Sequence, residues 1–301
     1  MSPAGTEVVT EVDGHRLTLS NLDKVLYPVT GTTKGEVLNY YVQIAPVLLP
    51  HIANRAVTRI RWPHGVQDKS FFEKNAPAGA PRWLRTATVP TTGSRTASGD
   101  AGELRFPIID GLAPLVYLAN LASLELHVHQ WRVSTDGVPE NPDRLVVDLD
   151  PGDGAGLMQC CEVALLVRSA LGDRGLDVRP VTSGSKGLHL YAALPGDLDP
   201  DGTTALAKEI AEALQEEHPK LVTATMTKAR RAGKIFLDWS QNAGSKTTVA
   251  PYSLRGRERP TVATPVTWAE VEAGSEDPFA LEQFSFTEVL ARVAEHGDLF
   301  A

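Results

Sequence analysis

Two periods of apolar and polar residues alternate along this chain. Between Thr33 and Ile52, apolar residues fall at Val37, Leu38, Tyr41, Ile44, Ala45 and Leu48, the spacing of one helix face, with Thr33 placed to cap it. The period then drops to two. "AVTRIRW" (56–62) alternates as a strand, and residues 81–110 predict a hairpin whose tip, 91–103, is a mobile Gly/Ser/Thr loop. "LAPLVYLANLASLELHVH" predicts a helix running to about Leu126. "RLVVDLD" (144–150) reads as a strand, "PGDGAG" as a turn, and the next nineteen residues as a helix closed by Gly175. "DVRPVTSGSKGLHLYAAL" predicts two strands around a polar turn, followed by a helix at 203–217 and strands near 221–226 and 234–239.

The middle of the chain thus reads strand, helix, strand, strand, helix, strand, the pattern of a layered α/β or α+β core. Without repeats or long linkers, 1–301 is expected to form one domain: an N-terminal region (1–140), a catalytic region (141–260) and a C-terminal helical region (261–301). No apolar run approaches the ~20 residues of a membrane span, and the N-terminus has neither the basic nor the apolar segment of an export signal. The two cysteines, Cys160 and Cys161, are adjacent and build no disulfide framework or zinc spacing; buried in a helix, they fit a reducing cytoplasm.

Net charge is −8, which alone argues against a nucleic-acid protein. Its distribution changes that picture. Lys220, Lys228, Arg230, Arg231 and Lys234 form a run with no acid among them, and Lys246, Arg255, Arg257 and Arg259 are opposed only by Glu258. The two runs flank Asp238, as a phosphate-facing surface would.

Candidate chemistry sits at the strand ends. Residues i and i+2 of a strand share a face, so Asp148 and Asp150 project together while Leu149 enters the core. Such a carboxylate pair suits hard divalent cations that bridge to phosphates. In "SGSKGLHLY" (183–191), Ser183, Ser185 and two glycines offer hydroxyls and open amides, Lys186 adds a charge, and His189 shares a strand face with Tyr191. Asp238 ends another apolar strand, and Arg255 follows in a basic turn. Three strand-borne carboxylates near a lysine and a histidine fit two-metal phosphoryl transfer.

These three motifs, "DLD", "SGSKGLHLY" and "FLDWSQN…KTTVAPYSLR", resemble those of the archaeo-eukaryotic primase superfamily. In particular they resemble the polymerase domain of bacterial DNA ligase D and its stand-alone actinobacterial relatives. The likeness runs from "LSNLDKVLYP" at 19 to "GDLF" at 300. It implies an α+β primase-polymerase fold, with an RRM-like catalytic sheet, a second packed sheet and surrounding helices. It implies Asp148, Asp150 and Asp238 as catalytic ligands of two Mn²⁺ or Mg²⁺ ions. Nucleotide contacts would come from His127, Ser183, Lys186, His189, Gln241, Arg255 and Phe72. "NLDKVLYP" with "TGTTK" resembles a pocket for the 5′-phosphate across a DNA gap, giving Asn21, Lys24 and Lys34, while Phe71 and Arg231 would meet DNA. Taken alone, "FF" reads as core packing and the two lysines as solvated surface. The chain departs from the family pattern at Arg230, where a leucine stands in relatives, and at Ile60, where a lysine contacts the nucleotide; the 91–103 loop is also longer.

The implied function is a DNA-dependent nucleotidyltransferase for gap filling and end extension in bacterial double-strand-break joining, preferring ribonucleotides and nucleoid-associated. Its partners would be 5′-phosphorylated DNA ends or gaps, NTP and dNTP substrates, Ku and a DNA ligase, without a membrane. No lysine-x-Asp-Gly ligase motif is present; the nearest string is "EVDG" at 11–14. Two alternatives stay open: a non-catalytic module that grips and bridges DNA ends, and an enzyme that is chiefly a de novo primase. The three aspartates weigh against the first, because unpaired carboxylates repel a bound phosphate.

Overall fold

In the computed structural model, residues 7–90 and 102–301 are described. The first long helix, α1 (Lys34–Ile52), starts at a capping box in which Thr33 and Glu36 satisfy each other's backbone amides. Pro46 and Pro50 lie inside it, each costing roughly 3 kcal/mol in a helix interior. Burial outweighs that cost: Val37, Leu38, Tyr40, Tyr41, Ile44, Leu48 and Ile52 are all buried, at about 1.5–3 kcal/mol for each fully buried large apolar side chain.

Among the described residues, two sheets organise the molecule. The larger has six strands in the order Val222–Thr223, Ile235–Asp238, Arg144–Pro151, Leu188–Ala193, Val178–Thr182, Thr264–Pro265. All its pairs are antiparallel except the first. The smaller runs Thr248–Val249, Ser123–Val128, Val57–Arg61, Phe71–Glu73. Helix α1 and α2 (Leu112–Asn120) share a core with the smaller sheet. One face of the larger sheet is covered by α3 (Leu157–Gly172) and α4 (Pro200–Glu217), which bury Cys160, Cys161, Val163, Val167, Ile210 and Leu214. Its other face carries Val146, Val181 and Tyr191, which meet Val249 of the smaller sheet.

Buried tyrosine hydroxyls near the start of the chain bolt it to segments that follow much later. Tyr40 donates to Tyr252 O at 2.8 Å, Tyr41 to Leu124 O at 2.6 Å and Tyr27 to Arg255 O at 2.8 Å. The C-terminal region, with α5 (Trp268–Glu276) and α6 (Phe286–His296), closes on the same seam. Asp298 accepts from His51 Nε2 at 2.6 Å and from the Tyr252 hydroxyl at 2.8 Å, and Phe300 packs edge-on against His51 and Tyr191.

The sequence expectations hold for the helix at 34–52, the strands at 57–61 and 144–151, the helix closed by Gly175 and the 178–193 strand pair. The hairpin forms between Thr86–Pro90 and Glu103–Pro107, whereas residues 91–101 of its tip lie outside the described residues. One expectation is overturned. The helix predicted to Leu126 stops at Asn120; Ala122 takes φ 58° and Ser123–Val128 is a strand. The left-handed turn breaks the helix, and "SLELHV" then alternates with period two, paired on both sides. The helix expected at 203–217 starts earlier, at Pro200, because Asp199 caps it and proline suits a first helical position.

Candidate active site

Strand register assembles the site. Asp148 lies opposite His189 on one side and Asp238 on the other, so these three form a row across adjacent strands. Residues directly opposite share a face. Asp150 is two residues further on, opposite Phe236, at the exposed strand end. The turn that follows is pressed by the basic run: Gly152 donates to Lys234 O at 2.8 Å, and Gly233 to Asp153 O at 2.7 Å. That packing lays Arg231 over the Phe236 ring, 3.4 Å from its centroid, beside Asp150.

Asp148, Asp150, Ser183, Ser185, Lys186, His189, Arg231, Arg255 and Arg257 line one cleft of about 350 Å³. Its floor is charged in both senses. Burial on the protein side, followed by the Asp148 charge, pushes the Asp150 carboxyl up to about 6. His189 is buried, with Nε2 at 3.3 Å from Asp148 Oδ1 and no partner for Nδ1 among the described residues.

The Ser183 turn is shaped from within. Ser183 Oγ accepts from the amides of Ser185 and Gly187, at 3.2 and 3.1 Å, leaving its proton free to donate outward. Arg255 Nη1 donates to Ser183 O. Gly184, at φ +65°, lies where a Cβ would come 2.6 Å from Arg255 Cγ and 2.7 Å from Val262 C.

Asp238 is already engaged: Oδ1 accepts from Ser240 N and Oγ, at 3.1 and 2.6 Å, and Oδ2 from Gln241 Nε2 at 3.0 Å. Gln241, expected at the nucleotide, therefore holds this carboxylate. Among the described residues no three His, Cys, Asp or Glu side chains gather into a ready-made metal cage. The expected three-aspartate set is a two-carboxylate edge with a tethered third. The donors still fit a hard divalent cation, because they are carboxylate oxygens and because an added positive charge removes the like-charge repulsion at Asp148 and Asp150.

Phe71 and Phe72 are exposed, 43% and 59%, so the core-packing reading of "FF" does not hold. They end the smaller sheet, where Phe72 pairs with Ile60 and Ile60 with Glu125. His127, on the same strand as Glu125, donates to Glu125 Oε2 at 2.7 Å. Arg257, foreseen only as part of a basic run, lines the cleft, and Glu125, which the sequence reading did not single out, lies behind it with Oε1 3.3 Å from Arg255 Nε. Once Ser123–Val128 is read as a strand, Glu125 and His127 fall on one face, a signal that the helical reading of this stretch hid.

Asn21, Lys24 and Lys34 cluster apart from the cleft, at the start of α1. Asn21 takes φ 54°, and Lys34 is buried, donating to Ser20 O at 2.5 Å. Lys24 Nζ lies 3.4 Å from His64 Nδ1. The first-turn amides of α1 are taken: Lys34 N by Lys24 O, Gly35 N by Leu22 O and Glu36 N by Thr33 Oγ1. An anion here would be held by ammonium groups rather than by open backbone. Burial, with the Lys24 charge second, lowers the Lys34 pKa to about 8.

Comparison with known proteins agrees with this geometry. A family profile described as "LigD, primase-polymerase domain" matches residues 33–300. The multifunctional non-homologous end joining protein LigD of Mycobacterium bovis is 54% identical over 289 residues, 94% of this chain and 36% of that protein. Its counterpart in Mycolicibacterium smegmatis is 51% identical over 286 residues, again 36% of that protein's length. The bifunctional LigD of Bacillus subtilis is 31% identical over 283 residues. Among solved structures, the polymerase domain of Mycobacterium tuberculosis ligase D in complex with DNA superposes with a TM-score of 0.87 at 52% identity, covering 94% of this chain and 96% of that one. The chain thus spans about a third of the length of the mycobacterial relatives it matches.

Proposed function

The chain belongs to the LigD primase-polymerase family, and on that premise we propose that it is a DNA-dependent nucleotidyltransferase. It fills short gaps and extends broken ends during double-strand-break joining, and residues 1–301 act as one domain. The observation that carries this reading is the Asp238–Asp148–His189 row, with Asp150 at the mouth of a cleft lined by Lys186, Arg231, Arg255 and Arg257. Carboxylates facing cations across a cleft suit a metal-bound triphosphate; a bare phosphate grip gains nothing from them.

In this mechanism Asp148, Asp150 and Asp238 hold divalent cations, Mn²⁺ or Mg²⁺. The bound metal supplies Lewis acidity to the phosphoryl oxygens and lowers the pKa of an attacking hydroxyl. The protein's own share is orientation. Ser183 and Lys186 grip phosphate oxygens, Arg255 neutralises their charge within the cleft, and Asp148 restrains His189 at the cleft wall. Phe72 offers a face for a base, with stacking worth ~1–3 kcal/mol and indifferent to sequence. Ribonucleotides are the preferred substrates, and Ku and a ligase act around it.

The test is extension of a labelled primer across a one-nucleotide gap with a downstream 5′-phosphate, comparing ribonucleotides with deoxynucleotides in Mn²⁺. Templated addition, lost when Asp148 and Asp150 are both alanine, supports the reading. Tight phosphate-dependent binding without addition would leave an end-bridging module instead.

Two expectations concern the α1 pocket, read as the 5′-phosphate site. Lys24→Ala is expected to weaken binding about tenfold on 5′-phosphorylated gaps, the scale of one hydrogen bond to a charged group, and to leave unphosphorylated gaps unaffected. Equal weakening on both, measured by fluorescence anisotropy, would sink that assignment. The second is a pH dependence. Lys34 is cationic below its pKa of about 8 and neutral above it. The extra affinity conferred by a 5′-phosphate is therefore expected to fall as pH rises from 7 to 9, with 5′-hydroxyl gaps as the reference. A flat difference across that range would contradict it.

A further inference from the structure

Glu125 is a buried carboxylate to which the mechanism gives no task. It stands on the smaller sheet, across the seam from the three aspartates, with 3% of its surface exposed. Its Oε2 accepts from His127 Nε2 at 2.7 Å and its Oε1 from Gly256 N at 2.9 Å. Arg255 Nε lies 3.3 Å from Oε1, an ion pair without hydrogen-bond alignment. Burial pushes the carboxyl up, but the His127 hydrogen bond, the Arg255 charge and the Gly256 amide outweigh it and hold the group near 2.

Each group that Glu125 holds is also fixed from elsewhere. Arg255 Nη1 donates to Ser183 O on the larger sheet, and its carbonyl accepts from the Tyr27 hydroxyl. Gly256 is packed so closely that a Cβ would come 2.2 Å from the Trp62 ring. Among the described residues, Glu125 is thus the side chain joined at once to the imidazole of the smaller sheet and to the arginine that crosses to the larger one. It also occupies the buried end of the cross-strand row whose exposed end is Phe72, with Ile60 between them.

A buried acid adds little stability that an apolar residue would not, so its use lies in what it orients. We infer that Glu125 is a positioning residue: it locks His127 and the Arg255–Gly256 segment into one unit that presents an imidazole and a guanidinium together to the phosphates of an incoming nucleoside triphosphate. The inference rests on the nucleotidyltransferase reading for its ligand. Glu125 does not touch the triphosphate, whose charge would repel it. It acts through its two partners, and it offsets the mutual repulsion of Arg255 and Arg257 while the cleft is empty.

The test is Glu125→Gln, which keeps the shape and an acceptor for Gly256 N–H but loses the charge that holds His127. With nucleotide concentration varied, KM is expected to rise about tenfold, the scale of one lost charge-assisted hydrogen bond. The kcat is expected to change less than about twofold, and the affinity for 5′-phosphorylated gapped DNA not at all. His127→Asn is expected to raise KM similarly alone and to add little on top of Glu125→Gln, because both remove the same unit. An unchanged KM in a folded, active Glu125→Gln protein, or full additivity of the two changes, overturns the inference. If Glu125→Gln does not fold, His127→Asn decides by itself, and an unchanged nucleotide KM overturns it. Calorimetric binding of a nucleoside triphosphate with Mn²⁺ separates this from the parent reading. Binding without synthesis by the wild type overturns the polymerase assignment while the variant's affinity still tests Glu125; no binding overturns both.

Discussion

Asp148→Ala is expected to abolish templated nucleotide addition while leaving the metal-free protein at least as stable as the wild type. Metal-assisted stabilisation of transition-state charge is worth several kcal/mol, and each ~1.4 kcal/mol is a factor of ten in rate, so the loss should reach about 10³-fold or more. The stability half follows from like charge. Asp148 and Asp150 share a strand face, and the Asp150 carboxyl is raised to about 6, above its unfolded value. A carboxylate raised in the folded state binds protons more tightly there than when unfolded. Wild-type stability therefore falls as pH rises through that window, and the cost is present in full above it. Burial of Asp150 is the larger cause and stays in the variant; removing Asp148 relieves only the like-charge part, so the melting temperature of the variant relative to wild type should be most favourable above pH 6. Loss of the contact with His189 offsets part of this gain. A destabilisation of ~2–5 kcal/mol, as for a core truncation, would show that Asp148 serves packing.

Gly187→Ala is expected to be a severely damaging single-methyl change at the site. Gly187 closes the Ser183 turn, donating to Ser183 Oγ and accepting from Ser183 N. A Cβ there would stand 1.9 Å from Leu149 O and 3.2 Å from Pro151 Cδ, against the backbone between Asp148 and Asp150. Neither neighbour is a flexible side-chain end, so either the turn or the Asp148 strand must shift. Overpacking against rigid structure costs about 1–3 kcal/mol and more where backbone is the obstacle. A fall in melting temperature of about 5–10 °C is expected, with a large loss of activity from the displaced Ser183 and Lys186. Gly172→Ala is the control: it adds the same methyl at the end of α3, where nothing lies within 4 Å, and should be neutral or stabilising by up to ~1 kcal/mol. Equal behaviour of the two would refute the close-approach account.

These two sites show what was legible in the sequence. The Asp148 and Asp150 strand and the Ser183 turn were readable because strand alternation and turn chemistry are local, as was the Thr33 cap of α1. Glu125 was not. Its strand follows a helix after a single left-handed residue, Ala122, and its apolar neighbours satisfy a helical pattern as well as an alternating one. Nor could periodicity show that Arg255 crosses between two sheets, or that Gln241 and Ser240 occupy both oxygens of Asp238. Lys34 and the phenylalanine pair were misjudged in opposite directions when read alone. A lysine at the first turn of a helix looks solvated, and two adjacent phenylalanines look like core. The packing of the 20–24 loop on α1 buries the first, and an edge strand exposes the second.

The two cysteines have a use unrelated to catalysis. Both are free and buried beneath the Arg144–Pro151 strand, and Cys160 Sγ lies 3.8 Å from Leu149 O. Burial raises the Cys160 thiol well above its ordinary pKa and pushes Cys161 up to about 11. Since only the thiolate reacts, alkylating reagents meet a surface with no competing thiol among the described residues. A cysteine introduced anywhere outside can then carry a single dye. The native pair becomes a clock: its slow modification measures how often α3 lifts from the sheet, and the metal-free and metal-loaded rates compare the local opening free energy under the carboxylates.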